Sequence, residues 1–229
     1  MSTLRLGSEQ VFAGLDVYHD VDSRSAALNM ALDEAILETA TEPTIRFYRW
    51  NHPAISFGYF GNFAEVEKYE SERDIVRRWT GGGVVLHRHD LTYSIVIPAP
   101  ECAFSGWPRS IYEQIHIAMR NALRAAGKNV ELAQKPTPKI SEACFANPVR
   151  ADVLLDGRKI AGAAQRRTRR GLLQQGSIQD VDLPTDFEEG VVAELAGTCR
   201  EQMLCDSILE RAHQIAREKY ATDAWLRRR

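Results

Sequence analysis

The sequence predicts a mixed domain of the α/β class, of the α+β type, with strands gathered between a few helices. Short apolar runs broken by Pro, Gly and Asn crowd residues 44–97, as linked sheet strands would. Helical periodicity is confined to separate segments on either side of them. No regular alternation of strand with helix points to a doubly wound sheet.

Taken in order, Asp16 to His19 is a short strand, and Asp22 and Ser25 stand where a helix cap is needed. Leu28, Leu32, Ala35 and Ile36 then return at helical spacing, which predicts an amphipathic helix from Ser25 to about Thr39. Strand character follows in Thr44–Trp50, Ala54–Gly58, Asp74–Trp79, Val84–His87 and Thr92–Ile97. Ser110-Ile-Tyr-Glu113 reads as a capping box. Behind it Ile111, Ile115, Ala118, Met119, Ala122 and Leu123 trace one face of a helix that Gly127 ends in left-handed conformation. Ala133 to Pro148 carries three prolines and reads as a loop. Val153 to Ile160 is a hairpin turned by Asp156-Gly157, Leu172–Ile178 a further strand, and helices near Phe187–Ala196 and Asp206–Tyr220 follow. No fall in hydrophobicity marks a boundary, so one domain over residues 1–229 is expected.

Composition narrows the function. The chain has 229 residues, 44% hydrophobic and 26% charged, enough to bury a core without staples. Cys102, Cys144, Cys199 and Cys205 show no CxxC spacing, so neither a disulfide framework nor a zinc site is expected. Cys102, Cys199 and Cys205 are expected to be small buried hydrophobes. With no basic leader and no apolar run of roughly 20 residues, the reading is a cytoplasmic protein without a membrane segment. A net charge of −2 argues against bulk nucleic-acid binding. Arg166, Arg167, Arg169 and Arg170 form a local cluster, either a solvated face or a docking surface for an acidic partner.

Arg77-Arg-Trp-Thr-Gly81-Gly82-Gly83-Val-Val-Leu-His87 joins two strands through three consecutive glycines. A ligand-free hairpin turn is one reading. Three glycines exceed what a hairpin needs and each weakens the fold, which favours a backbone that a ligand approaches closely. Neither the phosphate-binding loop nor the spaced dinucleotide pattern is present. Together with Leu91-Thr-Tyr-Ser94, Asn29-Met-Ala-Leu-Asp33 and Ser56-Phe-Gly-Tyr-Phe60, this turn resembles the lipoyl branch of the biotin/lipoate protein ligase superfamily, over most of the chain. The resemblance implies a single ligase-like catalytic domain, a mixed β-sheet flanked by helices.

Asp156-Gly-Arg-Lys159-Ile-Ala-Gly162-Ala163-Ala164-Gln165 resembles a second signature of that family, in which the lysine contacts the activated acyl group. A cation fixed on a strand suits charge developing on a carbonyl oxygen. Without the resemblance, Lys159 would read as a surface lysine beside a turn. The small residues would admit a thin acyl chain, or pack closely against a neighbour. The family often has His where Gln175 stands, so Gln175 is left out of the catalytic set. Cys144-Phe145 lies 15 residues before Lys159 and resembles the nucleophile of cysteine-dependent octanoyltransferases. A thiolate can hold an acyl group from a carrier thioester at similar energy and pass it to an amine without ATP. The alternative for Cys144 is a buried packing role.

The expected catalytic pair is thus Cys144 and Lys159. Arg78, Gly81, Gly82, Gly83, His87, Gly162, Ala163 and Ala164 are expected to contact substrate, with no metal and no cofactor. His87 orients partners, removes a proton, or is structural. The resemblance implies octanoyl or lipoyl transfer from acyl carrier protein to a lysine of a lipoyl-domain protein. Such acceptors include the glycine cleavage H protein and 2-oxoacid dehydrogenase acyltransferase subunits. The enzyme is expected to be a monomer, without nucleic-acid or membrane partners and without a complete accessory domain. Competing readings are an amidotransferase with the same cysteine, an ATP-dependent lipoate ligase, and a non-catalytic acyl-carrier-binding protein.

Overall fold

A computed structural model describes residues 10–99, 107–136 and 147–228. Eleven strands among these residues make two sheets. The large sheet holds β1 (Leu15–His19), β2 (Thr44–Tyr48), β6 (Leu91–Pro98), β7 (Val130–Leu132), β8 (Val153–Leu155), β9 (Arg158–Thr168), β10 (Gly171–Ile178) and β11 (Cys199–Glu201). Their spatial order is β11-β1-β2-β6-β10-β9-β8-β7. β1 pairs in parallel with β2 and β11, and the remaining neighbours are antiparallel. The small sheet is β4-β3-β5, built from β3 (Ala54–Phe57), β4 (Asp74–Arg77) and β5 (Val85–His87).

Helices α1 (Ala26–Thr39), α2 (Trp107–Ala125), α3 (Phe187–Leu195), α4 (Asp206–Ile215) and α5 (Asp223–Leu226) cover these sheets. α1 starts where Ser25 accepts the Leu28 amide, as its cap pattern predicts. α2 and α3 pack together with the largest core cluster, which is formed around β1, β2, β6 and β10. α4 and a π-helical turn, Ala216–Tyr220, pack on α1. The Asp156-Gly157 turn has both residues at positive φ, which matches the right-handed twist of β8 and β9.

Two expectations are corrected, two short strands are added, and the hairpin reading of the glycine turn is set aside. α2 is already helical at Trp107, so Ser110 lies inside the helix instead of capping it. β7 and β11 have three residues each, too short to show a period in sequence, and they exist because a neighbouring strand supplies their hydrogen bonds. Cys199 and Cys205 are exposed: Cys199 lies on an edge strand exposed throughout, and Cys205 caps α4. Cys102 lies outside the described residues. Finally, β4 and β5 do not pair with each other. Both flank β3, so the glycine turn between them is a crossover past the end of β3 and not a hairpin turn.

Candidate active site

The crossover places the glycines against the end of β3. Tyr59 N donates to Thr80 O at 2.8 Å and Arg78 N to Phe57 O at 2.8 Å. A Cβ on Gly58 would lie 2.1 Å from the Gly82 carbonyl oxygen, so the turn seats directly on a second glycine. Gly82 has φ of +88°, a conformation that favours glycine. The buried Arg78 guanidinium pins the loop. Its Nη2 donates to the carbonyls of Gly81 (3.0 Å) and Gly83 (2.9 Å), and its Nη1 donates to Ser56 Oγ at 2.7 Å. Because a trans peptide sets N–H opposite to C=O, the Gly81 carbonyl turned to Arg78 aims the Gly82 amide the other way.

Ser56 leads to a buried relay. Its Oγ lies 2.6 Å from His87 Nε2, and His87 Nδ1 lies 2.7 Å from Asp90 Oδ2. As a carboxylate Asp90 can only accept, so Nδ1 carries the proton; burial disfavours a second proton on the ring, which leaves Nε2 to accept from the Ser56 hydroxyl. Burial pushes the His87 pKa down, against the pull of Asp90. Burial alone would raise Asp90, but His87, Ser177 and Thr92 outweigh it and hold the carboxyl below its usual range. Trp50 stacks on His87 at 4.0 Å between ring centroids and donates to Thr92 Oγ1. The array has the order Ser–His–Asp, but the Arg78 cation donates to Ser56 Oγ, which withdraws electron density from that oxygen and weakens it as a nucleophile. Ser177, which lacks an evident base in the sequence, donates to the same Asp90.

Lys159 sits at the other end of the site. It is buried, with Nζ 2.8 Å from Asp152 Oδ2. Asp152 also accepts from Tyr112 Oη on α2 and, at 2.7 Å, from the Val149 amide. Gly162 makes room for this lysine: a Cβ there would fall 2.6 Å from Lys159 Cε and 2.7 Å from Nζ. The space beside Gly162 therefore holds the lysine side chain itself. Ala164 faces the glycine turn, 3.3 Å from where a Gly82 Cβ would be.

Between the two ends lies a narrow cavity. Met30, Tyr48, Trp50, Val85, Ala163 and Ala164 supply its apolar walls, and Ser56, Arg78, His87, Thr92, Gln175 and Ser177 its polar points. Gly82 and Gly162 line it too, so both sequence signatures meet there. Such a narrow, largely apolar space with few polar groups suits a slender acyl chain. Cys144 lies outside the described residues. The stems of its segment are held together, with Ala151 N donating to Ala133 O (2.7 Å) and Ala133 N to Asp152 O (2.9 Å).

Several site residues escaped the sequence reading. Gln175 donates to Asp33 Oδ2 at 2.7 Å and accepts from Thr80 at 2.9 Å, which braces the cavity floor. Asp33 is fully buried and also accepts from Arg46, Ser94 and Tyr48. Asn29 and Asp33, one turn apart on the buried side of α1, were the legible signal, because polar residues among apolar ones ask for partners. Nothing local marks Asp90 or Asp152. Among the described residues no three His, Cys, Asp or Glu side chains could hold a metal ion, and no helix is long and apolar enough to cross a membrane.

Residues 25–218 match the family model described as lipoyl protein ligase A/B catalytic domain. An octanoyltransferase LipM of Oceanobacillus iheyensis is 40% identical over 68% of this chain and 60% of its own length. The corresponding Brevibacillus brevis protein is 29% identical over 93% of this chain and 98% of its own. That of Halalkalibacterium halodurans is 30% identical over 92% and 99%. In fold, protein Ta0514 from T. acidophilum superposes with a TM-score of 0.75 at 20% identity, over 92% of this chain and 97% of that one. A lipoate-protein ligase A bound with ATP gives 0.69 at 20% identity, over 92% and 97%. The expected lipoyl branch and its mixed, helix-flanked sheet are thereby borne out, and the chain belongs to the lipoyl protein ligase A/B catalytic-domain family.

Proposed function

We propose that this chain is an octanoyltransferase that works through a cysteine thioester. The relatives named octanoyltransferase, two of them aligned over nearly their whole length, support the acyltransferase class. Cys144 attacks the thioester of octanoyl acyl carrier protein, forming a new thioester while the carrier leaves as its thiol. Lys159 and backbone amides at Gly82 and Gly83 hold the carbonyl oxygen as negative charge develops. The ε-amine of a lysine on a lipoyl-domain protein, such as the glycine cleavage H protein, then displaces Cys144 and keeps the acyl group as an amide. Neither ATP, metal nor redox cofactor enters.

The observation that carries this reading is the Lys159–Asp152 pair: a fixed cation packed on Gly162, which lines the cavity, and tied to the stem of the Cys144 segment. Such a cation favours a nearby thiolate. The acyl chain occupies the cavity between the glycine turn and β9, against Ala163 and Ala164. The helices after β10 pack back on α1 and α2, in keeping with one catalytic unit.

The test is intact-protein mass spectrometry after mixing with octanoyl acyl carrier protein in the absence of ATP, beside Cys144→Ser. A hydroxylamine-sensitive octanoyl adduct on the wild type alone is expected. No adduct, with an acyl adenylate formed from free lipoate and ATP, would mean a ligase in which Cys144 is packing. Transfer that starts only from an octanoylated lipoyl domain would mean an amidotransferase.

A further inference from the structure

Arg166, Lys219 and Arg228 converge on a plate of aromatic rings beside the glycine turn, and we propose that they form a phosphate subsite for the pantetheinyl arm of the acyl donor. The inference rests on the reading that the donor is a carrier thioester. Its basis is a set of contacts that residues 166–170 could not reveal as a sequence cluster. The Arg166 guanidinium does not belong to a solvated face: it lies 4.5 Å from the Tyr59 ring centroid and 4.8 Å from that of Trp79. Arg228 lies 4.3 Å from Tyr59 and 5.2 Å from Trp225. Lys219 Nζ sits 4.1 Å from Trp79 and 4.5 Å from Trp225.

Three half-buried cations thus share one small area. Glu34 answers Lys219 at 2.6 Å, but among the described residues neither Arg166 nor Arg228 has a carboxylate partner. Burial, with the nearby charge of Arg166, lowers the Lys219 pKa despite Glu34. Arg166 Nε is buried without any hydrogen-bond partner, a donor of the kind native proteins rarely leave unmet. Lys219, Trp225 and Arg228 also line an open groove. Glu218 is on that groove as well, where Gln214 donates to it. Guanidinium groups held on rings beside a groove, with no carboxylate partner among the described residues, match the geometry and charge of a phosphate.

The position fits the donor. Side chains at 162, 164 and 166 share one face of β9. Lys159 Nζ folds over Gly162, Ala164 lies against Gly82, and Arg166 Nη1 donates to Trp79 O, one residue before Thr80 and the glycines. Four residues of strand span about 13 Å from the acyl end to Arg166. A pantetheinyl arm is an extended chain with a thioester at one end and a phosphate at the other. With its thioester at Lys159 and the acyl chain in the cavity, the arm would pass along the outer side of the glycine turn and set its phosphate on the cations. A nucleotide carries the same phosphate chemistry, so the test separates the two.

Calorimetric titration of the full chain with 4′-phosphopantetheine, pantetheine and ATP decides it. The wild type should bind phosphopantetheine at least about tenfold more tightly than pantetheine, a difference of about 1.4 kcal/mol. In the Arg166→Gln/Arg228→Gln double variant that preference should fall to about one. The Arg166→Lys/Arg228→Lys variant should keep most of it, which separates charge from packing. No binding, equal binding by the wild type, or a preference that survives the Gln variant overturns the subsite. ATP binding more tightly than phosphopantetheine, with the same sensitivity to the Gln pair, assigns the cations to a nucleotide and overturns it too. An octanoyl adduct on Cys144 without phosphopantetheine preference removes the subsite and spares the transferase. The preference without an adduct does the reverse.

Discussion

Asp152 couples Lys159 to the segment that carries Cys144: one carboxylate oxygen takes the lysine ammonium at 2.8 Å and the Val149 amide at 2.7 Å. Both side chains of the ion pair are buried, and Tyr112 from α2 closes the remaining oxygen. A buried cation, a loop stem and a helix therefore share one anchor.

Asp152→Asn takes the carboxylate charge from beside the buried ammonium. The expected loss is about 3 kcal/mol of unfolding free energy, read by urea denaturation. Lys159→Met on top of Asp152→Asn should recover part of it. If the two single losses simply add, the pair is not coupled and this anchor is misassigned.

Gly58, at the end of β3, and Gly81, on the turn that seats against it, offer a contrast. A Cβ on Gly58 meets the Gly82 carbonyl oxygen at 2.1 Å, whereas one on Gly81 meets nothing within 4 Å. Gly58→Ala should cost about 1–3 kcal/mol and weaken acyl-donor binding as the turn shifts. Gly81→Ala should change stability by less than about 0.5 kcal/mol. Thermal melts and donor titrations of both variants check this, and equal effects on stability would contradict the seating of Gly82 on Gly58.

Stability should fall between neutral pH and pH 5 because of His116. Burial lowers its pKa from 6.5 to about 4, against Asp152 and the Ala151 carbonyl. Above 6.5 the ring is neutral in both states and nothing is lost. Between 6.5 and 4 the unfolded chain binds a proton that the folded chain refuses, so stability drops by about 1.4 kcal/mol per pH unit, on the order of 3 kcal/mol in all. His87, lowered for the same first reason, acts in the same direction. Asp90 and Asp20, whose pKa values are depressed, contribute only in more acid solution. Urea midpoints at pH 7.5 and 5 in wild type and His116→Gln test the assignment. An unchanged slope in the variant would remove His116 from it.

The two described cysteines should differ in reactivity. The Ser207 hydroxyl and then the Ile208 amide lower the Cys205 pKa, while partial burial and then Glu201 raise that of Cys199. Limited alkylation near pH 7.5, followed by peptide mass mapping, should modify Cys205 first. Preferential labelling of Cys199 would contradict this order. Whichever holds, these thiols are the background against which an adduct on Cys144 must be located.

Local chemistry made the elements legible. Ser25 before an apolar period of 3.6 gave α1, and Asp156-Gly157 gave the β8–β9 turn, because caps and tight turns are decided by adjacent residues. The same locality misled at Ser110, where a capping pattern lies inside a helix that had already begun. It also made Arg166 to Arg170 look like one patch, although alternation along β9 sends Arg166 inward to Trp79 and Tyr59.

By itself the sequence determined the mixed architecture, the two glycine-rich signatures and the family, all written in runs of neighbouring residues. Only the tertiary structure decided that the glycines cross the end of β3, that Gly162 makes room for Lys159, and that Asp33, Asp90 and Asp152 anchor the site. The physical reason is that a buried carboxylate is defined by partners far away in the chain. Ser177 reaches Asp90 from 87 residues away, and Gln175 reaches Asp33 from 142. Such pairings exist only once the sheet order has brought β10 between β6 and β9.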